Sequence, residues 1–346
     1  QARRLLAELA DSDMPWLLLA QACNLDGDVA AEESALNRQL ALEPRNLPAL
    51  ILSGELKARA GDDRAANAFF QAALNQAAAT PNLSAALHAM LERARQFVDQ
   101  VRVKFEQHLM EGLNQAGLTR DGRVGSAVDM LLGRKQLYLQ QPSSFYFPGL
   151  PQRQFYERDE FSWLAEVEQA VPEMQVELRT ILAEGQDFAP YVESSSERPR
   201  AANPLINDPS WGAYYFWRNG KIVPENATRC PVTIKALEHA PMPLIDERSP
   251  VALWSLLKPG THIQPHHGML NTRLICHIPL IVPKDCAIRV GNETRAWREG
   301  EALIFDDSFE HEAWNKSGDT RVILLFEIWR PEISLEERAA LTKIFE

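Results

Sequence analysis

Residues 299–311 read Glu-Gly-Glu-Ala-Leu-Ile-Phe-Asp-Asp-Ser-Phe-Glu-His, which is a turn, an apolar run, an acidic turn and then His311. Further upstream, residues 259–268 read Pro-Gly-Thr-His-Ile-Gln-Pro-His-His-Gly, so His266 also lies just beyond a turn. Short apolar runs that are bounded by turns are typical of β-strands. The two segments therefore predict a β-rich domain in which two strands each carry a nearby histidine.

Histidine is concentrated in this part of the chain. Five of the eight histidines lie between residues 262 and 311, namely His262, His266, His267, His277 and His311. A single histidine is more often a hydrogen-bonded structural residue, but two that share the turn-and-strand pattern favour a common metal ion. In a double-stranded β-helix an early strand supplies one or two metal ligands and a later strand supplies a histidine. We therefore predict that His266 and His311 bind a metal such as Fe, Zn, Cu or Ni, and that His262 and His267 face away.

Arg321 begins the run Arg-Val-Ile-Leu-Leu-Phe-Glu-Ile-Trp, which ends at Trp329. Both alternating faces of this run are mostly apolar, which predicts a buried strand. A buried charge is costly unless it is paired, and a planar guanidinium suits bidentate binding of a carboxylate. We expect that partner to be a ligand carboxylate beside the metal, with Asp306 or Asp307 as the alternative.

The sequence after about residue 205 alternates short apolar runs with Pro, Gly and Asn. This spacing favours an antiparallel barrel or sandwich. The predicted strands are Tyr214–Arg218, Val251–Leu257, Thr272–Pro279, Ala287–Val290, Glu293–Arg298, Ala302–Phe305 and Arg321–Trp329. Ser334 and Glu337 form a capping-box pattern that predicts a final helix.

Residues 1–118 have the composition of helices, rich in Ala, Leu, Gln, Glu and Arg. Gly27-Asp28 recurs as Gly61-Asp62 at an offset of 34 residues. That period resembles the tetratricopeptide repeat, with an unspecialised helical bundle as the alternative. Stacked helical pairs offer a concave surface for a peptide or protein, or a docking face for the rest of the chain.

These patterns predict an α+β multidomain protein. Its parts are a helical repeat domain at 1–118, a transition of helices and loops at 119–200 that packs on the barrel, and a double-stranded β-helix (jelly-roll, cupin-like) domain at 201–346.

Composition excludes some functional classes. The chain has 346 residues and a net charge of −11, whereas nucleic-acid-binding proteins usually present a basic surface. The sequence has no apolar run of about 18 residues, which argues against a membrane span. The four cysteines lack CxxC spacing, so we expect reduced thiols and a cytoplasmic location. The start at Gln1 has no signal-peptide core and is expected to be a trimmed end.

Residues 255–331 closely resemble the aspartyl/asparaginyl β-hydroxylase family of Fe(II)- and 2-oxoglutarate-dependent oxygenases. Trp211-Gly-Ala-Tyr-Tyr-Phe-Trp217 extends the likeness upstream, and the animal members also carry helical repeats before the oxygenase domain. The shared motifs are Pro259-Gly-Thr-His, Pro265-His266-x-Gly268, Asn271-x-Arg273-Leu-x-x-His277, Asn292-Glu-Thr-Arg, Trp297-x-Glu-Gly, Leu303-Ile-Phe-Asp-Asp-Ser-Phe-Glu-His311-Glu, Arg321 and Trp329-x-Pro331.

The resemblance implies roles for particular residues. It makes His266 and His311 the iron ligands, with Gly268 where other such oxygenases carry a carboxylate ligand. It makes Arg321, Ser255 and His277 the 2-oxoglutarate site. Arg273 and Trp211 would belong to the substrate region.

The implied reaction uses Fe(II), 2-oxoglutarate and O2 to hydroxylate an unactivated carbon, with release of succinate and CO2. The leading substrate is the β-carbon of an Asp- or Asn-type residue in a peptide or protein, which the helical repeats could bind. Ile275 stands where the animal enzyme has a second arginine, which weakens the case for an acidic substrate.

Other functions stay open at this point. Bacterial relatives with this catalytic core can act on lipid-linked acyl chains, and a small-molecule substrate is another possibility. A non-oxygenase metal enzyme of the cupin type would share the histidine spacing but would not explain Ser255 and Arg321 together. An interaction protein with a degenerate barrel, or a halogenating enzyme, is less consistent with the sequence. The oligomeric state is not predicted.

Overall fold

The structure is a computed structural model that describes residues 14–185, 188–194 and 203–346. The expected trimmed start at Gln1 and the boundary expected at residue 200 lie outside these ranges. The chain forms two compact units, one that ends at Arg134 and one from Lys135 to Glu346. The first unit is helical and the second contains both sheets.

The first unit consists of paired helices in its described part. Its helices are α1 (Trp16–Asp26), α2 (Val29–Leu42), α3 (Leu47–Arg59), α4 (Asp63–Ala78), α5 (Ala85–Gln115) and α6 (Arg123–Leu131). Helix α6 belongs to this unit, since Asp129 forms an ion pair with Arg120 at 2.7 Å. The division at Arg134 therefore falls beyond residue 118, where we had expected the helical domain to end.

The turns at Gly27-Asp28 and Gly61-Asp62 have the same local structure. Both glycines adopt left-handed φ angles, 72° and 78°. Asp28 and Asp62 each cap the next helix, with the side chain accepting a hydrogen bond from the backbone N–H three residues on. The repeat of 34 residues is thus present in the local structure, and its assignment to the tetratricopeptide class stays a prediction.

The second unit carries every residue proposed for the site. Its strands are β1 (Phe155–Tyr156), β2 (Ala189–Pro190), β3 (Trp211–Arg218), β4 (Lys221–Ile222), β5 (Ala252–Leu257), β6 (His262–His266), β7 (Arg273–Ile281), β8 (Cys286–Val290), β9 (Glu293–Ala296), β10 (Leu303–Phe305), β11 (His311–Asn315) and β12 (Arg321–Trp329). Its helices are α7 (Leu164–Gln169), α8 (Val171–Ala183), α9 (Pro224–Ala227), α10 (Pro231–Leu237) and α11 (Leu335–Phe345), with a short 3₁₀ helix at Arg158–Glu160.

The strands form two antiparallel sheets. The larger has the order β1-β10-β7-β12-β5-β3-β2, with β4 paired to β3, and the smaller has the order β6-β11-β8-β9. Buried residues of both sheets share one cluster, in which Leu257 and Phe305 meet Ile288 and Ala313. Two antiparallel layers around a common core agree with the expected jelly roll, and the α+β class is confirmed.

The other face of the larger sheet is covered by helices. Leu164 of α7, and Met174 and Leu178 of α8, are buried in a cluster with Trp254 and Phe326 of the sheet. Burial of an apolar side chain of this size stabilises the fold by about 1.5–3 kcal/mol. The helices therefore hold this sheet rigid behind the cavity described below.

All seven predicted strands are present, most with shifted ends. Five strands of the described chain were not predicted: the two-residue strands β1, β2 and β4, and the longer β6 and β11. Strands β6 and β11 carry exposed or polar residues such as Gln264 and Glu312, so they lack the apolar run by which strands were recognised. Both belong to the smaller sheet, and both carry a histidine of the site.

Candidate active site

His266 and His311 are brought together by strand pairing. His266 is the last residue of β6 and His311 is the first residue of β11, and the two are direct partners in the antiparallel register. Their ring centroids lie 4.1 Å apart with an interplanar angle of 50°. One metal ion could therefore contact both rings.

The backbone fixes which ring nitrogens face the metal position. Nδ1 of His266 lies 2.8 Å from the carbonyl oxygen of Gln264, and Nδ1 of His311 lies 3.0 Å from that of Phe309. A carbonyl only accepts hydrogen bonds, so each Nδ1 carries the proton and each Nε2 keeps its lone pair. Burial lowers the pKa of His266 and lowers that of His311 to about 3, which keeps both rings neutral.

The position of the absent carboxylate ligand is sterically closed. A Cβ atom at Gly268 would lie 2.1 Å from Oδ2 of Asp307, and the amide of Gly268 donates to the carbonyl of Asp307 at 2.6 Å. Within the part of the chain that the structure describes, no third His, Cys, Asp or Glu completes a metal-binding group with the two histidines.

Arg321 lies buried at the start of β12 with 2% of its surface exposed. Its guanidinium lies 4.9 Å from the ring centroid of Trp297. Its Nε and Nη2 have no hydrogen-bond partner among the described residues. Burial lowers the pKa of Arg321 to about 10, so the group stays cationic at neutral pH.

Neither of the two alternative carboxylates, Asp306 and Asp307, forms an ion pair with Arg321 in the described chain. Asp306 pairs with Arg330 at 2.6 Å, and both side chains are fully buried. Asp307 is influenced chiefly by burial, which raises its pKa to about 7, and by Arg273. Of the partners that the sequence left open for Arg321, a ligand carboxylate is therefore favoured over Asp306 and Asp307.

His277 presents a second unpaired donor near Arg321. Its Nδ1 accepts a hydrogen bond from Nε1 of Trp297 at 3.3 Å, so the ring proton sits on Nε2. That Nε2 is buried and has no partner in the described ranges. Burial, together with nearby Arg321, holds the pKa of His277 well below its ordinary value, so the ring is a neutral donor.

Ser255 completes this end of the site from β5. Its hydroxyl oxygen accepts a hydrogen bond from Nε1 of Trp211 at 3.3 Å, which leaves its own proton free to donate. Trp211 is held in turn by Tyr191, whose ring stacks on it at 4.1 Å with an interplanar angle of 9°. Trp211 thus supports Ser255 directly, beyond the substrate-region role that the sequence suggested.

One cavity of about 820 Å³ is lined by the side chains proposed for the site, which are His266, His311, Ser255, His277 and Arg321. The two metal-binding candidates come from the smaller sheet, whereas Ser255, His277 and Arg321 come from the larger one. Arg273 also lines the cavity, where its Nη1 forms an ion pair with Oε1 of Glu327 at 2.6 Å.

The structure corrects one expectation and supports another. His267 lines the cavity beside His266 instead of facing away, because the chain leaves strand β6 at that point. His262 lies outside the cavity and pairs with Glu312 at 2.7 Å.

Three functional contributors were missed from the sequence. Trp297 and Tyr191 act as supports, and Glu327 neutralises Arg273. Alternation along β12 puts Glu327 on the same face as Arg321, which is the one signal that could have placed it in the cavity.

Comparison with known proteins agrees with this geometry. The family profile described as aspartyl/asparaginyl beta-hydroxylase matches residues 168–331. The human aspartyl/asparaginyl beta-hydroxylase is 38% identical over 135 residues, which is 39% of this chain and 18% of that protein. The ornithine lipid ester-linked acyl 2-hydroxylase of Rhizobium tropici is 33% identical over 179 residues, covering 51% of this chain and 60% of that protein.

Other similarities are weaker or partial. The human aspartate beta-hydroxylase domain-containing protein 2 is 32% identical over 212 residues, covering 60% of this chain and 55% of that protein. Among solved structures, a cupin 2 conserved barrel domain protein from Salinispora arenicola is 12% identical, with a TM-score of 0.24 over 43% of this chain and 98% of that one. A likeness of that size supports no argument.

The chain matches only part of the length of each of these relatives. The matches span 18% of the human and mouse aspartyl/asparaginyl beta-hydroxylases and 55–63% of the other relatives compared with it. The matched segment, residues 168–331, nevertheless includes both paired histidines and the arginine of the cavity. Residues 168–331, just under half of the chain, are therefore similar to the aspartyl/asparaginyl β-hydroxylase family.

Proposed function

We propose that the protein is an Fe(II)- and 2-oxoglutarate-dependent dioxygenase that hydroxylates an unactivated carbon. One observation carries this proposal. Nε and Nη2 of Arg321 and Nε2 of His277 are buried donors without partners in the described residues, and they belong to the same cavity as the paired histidines. Buried donors are almost always satisfied in native proteins, so this cluster fits an anionic ligand.

The donor set also fits iron. His266 and His311 would hold it through two neutral Nε2 atoms, which suit a divalent transition metal. Iron bound there supplies the redox chemistry in which one atom of O2 enters a C–H bond and the other ends in succinate, as 2-oxoglutarate loses CO2. The protein contributes ligand geometry and a cavity that limits access of water.

The side chains of the larger sheet would position 2-oxoglutarate. Arg321 would bind its distal carboxylate, aided by the Ser255 hydroxyl and the Nε2–H of His277. Trp297 keeps the His277 proton on Nε2 and covers the guanidinium with its ring. Trp211 holds the Ser255 hydroxyl in place.

The proposed substrate is an Asp- or Asn-type residue of a peptide or protein, hydroxylated at its β-carbon. The helical repeats of the first unit would take part in recognising it, as the tetratricopeptide-like pattern suggests. A cytoplasmic location remains part of this proposal. In the described parts of the chain, no helix has the length and apolar character needed to cross a bilayer.

A lipid-linked acyl chain is the second candidate substrate. The relative named as an ornithine lipid ester-linked acyl 2-hydroxylase is similar to about half of this chain. The cavity is also lined by several apolar side chains, among them Phe145, Val192, Ile245, Met269 and Leu270. These surfaces would accept an alkyl chain as well as apolar neighbours of a peptide residue.

Anaerobic cofactor binding tests the proposed chemistry. We expect Fe(II) plus 2-oxoglutarate to give a visible charge-transfer band that is absent in His266→Ala and His311→Ala. In Arg321→Ala, affinity for 2-oxoglutarate should fall at least about tenfold, since charge-assisted hydrogen bonds are lost. Metal binding should be retained, because Arg321 contacts neither histidine.

Arg298→Ala is the matched control, since Arg298 is exposed and lies outside the cavity. An unchanged 2-oxoglutarate affinity in Arg321→Ala would refute the carboxylate assignment. A non-oxygenase metal enzyme of the cupin type would bind metal without any dependence on 2-oxoglutarate or O2.

A further inference from the structure

The end of the cavity opposite Arg321 has a distinct polar composition. Glu327 lies on the cavity-facing side of β12, Arg273 begins β7, Asp307 follows β10 and Tyr191 follows β2. All four line the cavity. We propose that this end binds a carboxamide group of the substrate and rejects a carboxylate. The inference rests on the proposed function, and it narrows the Asp- or Asn-type substrate to the amide.

The charge of Arg273 is already neutralised. Its Nη1 lies 2.6 Å from Oε1 of Glu327, and Oε2 of Glu327 accepts from the Ser249 hydroxyl at 2.9 Å. Glu327 is 2% exposed, so it cannot turn away into solvent. Arg273 is therefore not a free cation for an incoming carboxylate. The next cavity-facing residue on β7, Ile275, adds no charge.

Asp307 makes a carboxylate substrate still less favourable. Asp307 and Glu327 place two carboxyl groups beside one guanidinium, and both act on Arg273 electrostatically. A substrate carboxylate would be a third acidic group in a site where little solvent remains. Burying a charge without a compensating partner is strongly unfavourable, and such like-charge contacts are a common means of rejecting a wrong ligand.

The unpaired atoms at this end match an amide. Oδ1 of Asp307 is a buried acceptor and Nε of Arg273 is a buried donor, and neither has a partner in the described residues. A carboxamide carries an NH2 group that donates and a carbonyl that accepts, so it can satisfy both. An ammonium group would satisfy only the acceptor and would face the Arg273 guanidinium. The Tyr191 phenol, kept neutral because burial raises its pKa, adds a polar group without charge.

The test uses two peptide libraries that are identical except for a central Asn or Asp with randomised flanks. The full-length protein is supplied with Fe(II), 2-oxoglutarate and O2, and mass spectrometry follows the gain of one oxygen atom. We expect kcat/KM to favour the Asn library by at least about tenfold. Equal turnover of both libraries, preference for Asp, or no turnover of the Asn library by a protein that binds 2-oxoglutarate through Arg321 would overturn the inference.

Direct binding separates this inference from the proposed function. The same libraries are bound to the protein without cofactors, and the retained peptides are quantified. Preference for Asn peptides in a protein that shows no Arg321-dependent binding of 2-oxoglutarate would overturn the proposed function alone. Normal 2-oxoglutarate binding with no Asn preference in binding or turnover would overturn only the inference.

Two variants assign the selectivity to particular residues. Glu327→Gln frees the Arg273 charge and should reduce the Asn-over-Asp preference at least about tenfold. Asp307→Asn keeps the side-chain shape, removes one acidic group and should shift the preference in the same direction. It serves as the second variant if circular dichroism shows that Glu327→Gln does not fold.

Glu293→Gln is the matched control. It neutralises a carboxylate that also pairs with an arginine, Arg295 at 2.6 Å, but on the surface and outside the cavity. The control should keep the wild-type preference. If folded Glu327→Gln and Asp307→Asn proteins both keep the wild-type preference for Asn, these carboxyl groups do not select the substrate.

Discussion

At the scale of single residues, the site works through atoms that the fold leaves unpaired. Nε2 of His277 is a donor only because Trp297 occupies the other ring nitrogen. Arg321 is left as an unpaired cation in the described chain, since Asp306 pairs with Arg330 and no ion pair joins Arg321 to Asp307. Unsatisfied buried groups cost about 1–3 kcal/mol each, so binding of a matching ligand recovers stability as well as function.

Trp297→Phe tests this dependence. The variant keeps an aromatic ring under Arg321 but removes the indole N–H that fixes the His277 tautomer. The loss of about 1 kcal/mol from one hydrogen bond should raise the KM for 2-oxoglutarate roughly fivefold. Steady-state kinetics measures the effect.

The control for this prediction is Trp254→Phe. Trp254 is also buried, its Nε1 has no partner in the described chain, and it lies outside the cavity. That variant should lose stability through its smaller ring and leave the KM unchanged. Equal KM values for the wild type and Trp297→Phe would show that the tautomer of His277 does not matter for binding.

At the scale of elements, strand pairing and turns place the residues. The register of β6 on β11 brings His266 opposite His311, and alternation along β12 puts Arg321 and Glu327 at two ends of one cavity wall. A shift of one residue in either strand would move these side chains to the opposite face. In the helical unit, the turns before α2 and α4 set where these helices begin, since Asp28 and Asp62 cap them.

Gly61→Ala should destabilise the helical unit by about 1 kcal/mol, because Gly61 has a φ of 78° that an L-residue with a Cβ adopts at a cost. Chemical denaturation of the full chain, followed by circular dichroism, measures the change.

Gly112→Ala is the comparison, since Gly112 lies within helix α5 and a Cβ there would meet no atom within 4 Å. It should stabilise the same unit by up to about 1 kcal/mol, from helix propensity alone. Similar effects of the two variants would contradict the role assigned to the left-handed turn.

At the scale of the whole molecule, the second unit contains the complete candidate site. Its early segment is tied to the barrel by a buried network, in which the Gln140 amide donates to Asp306 at 2.7 Å and Arg330 donates to the carbonyl of Pro151 at 3.1 Å. Among the described residues, the hydrogen bonds that position the two histidines, His277 and Ser255 come from residues after Lys135.

We therefore expect residues 135–346 to fold alone and to bind 2-oxoglutarate with an affinity within about twofold of the full chain, since a domain with its own core can fold independently. Thermal unfolding followed by circular dichroism should show one cooperative transition, and calorimetry should give the affinity. An unfolded fragment, or a loss of affinity beyond about tenfold, would refute the independence of this unit.

The same fragment also tests the role of the helical repeats. If they recognise a peptide, the fragment should keep 2-oxoglutarate binding and lose affinity for the peptide substrate. Equal peptide affinity of fragment and full chain would remove substrate recognition from the proposed role of the first unit.

The sequence by itself determined the features that depend on local patterns. The Gly-Asp turns, the capping box of Ser334 with Glu337, most strands of the larger sheet and the choice of His266, His311 and Arg321 all follow from residue type and spacing. The turns and the capping box rest on contacts within a few residues, and the strands and candidate residues were recognised from local residue type and spacing, so neither needed a known partner strand.

Only the tertiary structure decided which groups stay unpaired. Trp297 donates a hydrogen bond to His277, which lies 20 residues away in the sequence. Glu327 forms an ion pair with Arg273 of a different strand, and Asp306 forms one with Arg330. Such contacts depend on register and on which face of a strand meets the cavity, and a one-residue shift would change all of them. The free cation at one end of the cavity and the neutralised one at the other are therefore products of packing, although both are arginines in the sequence.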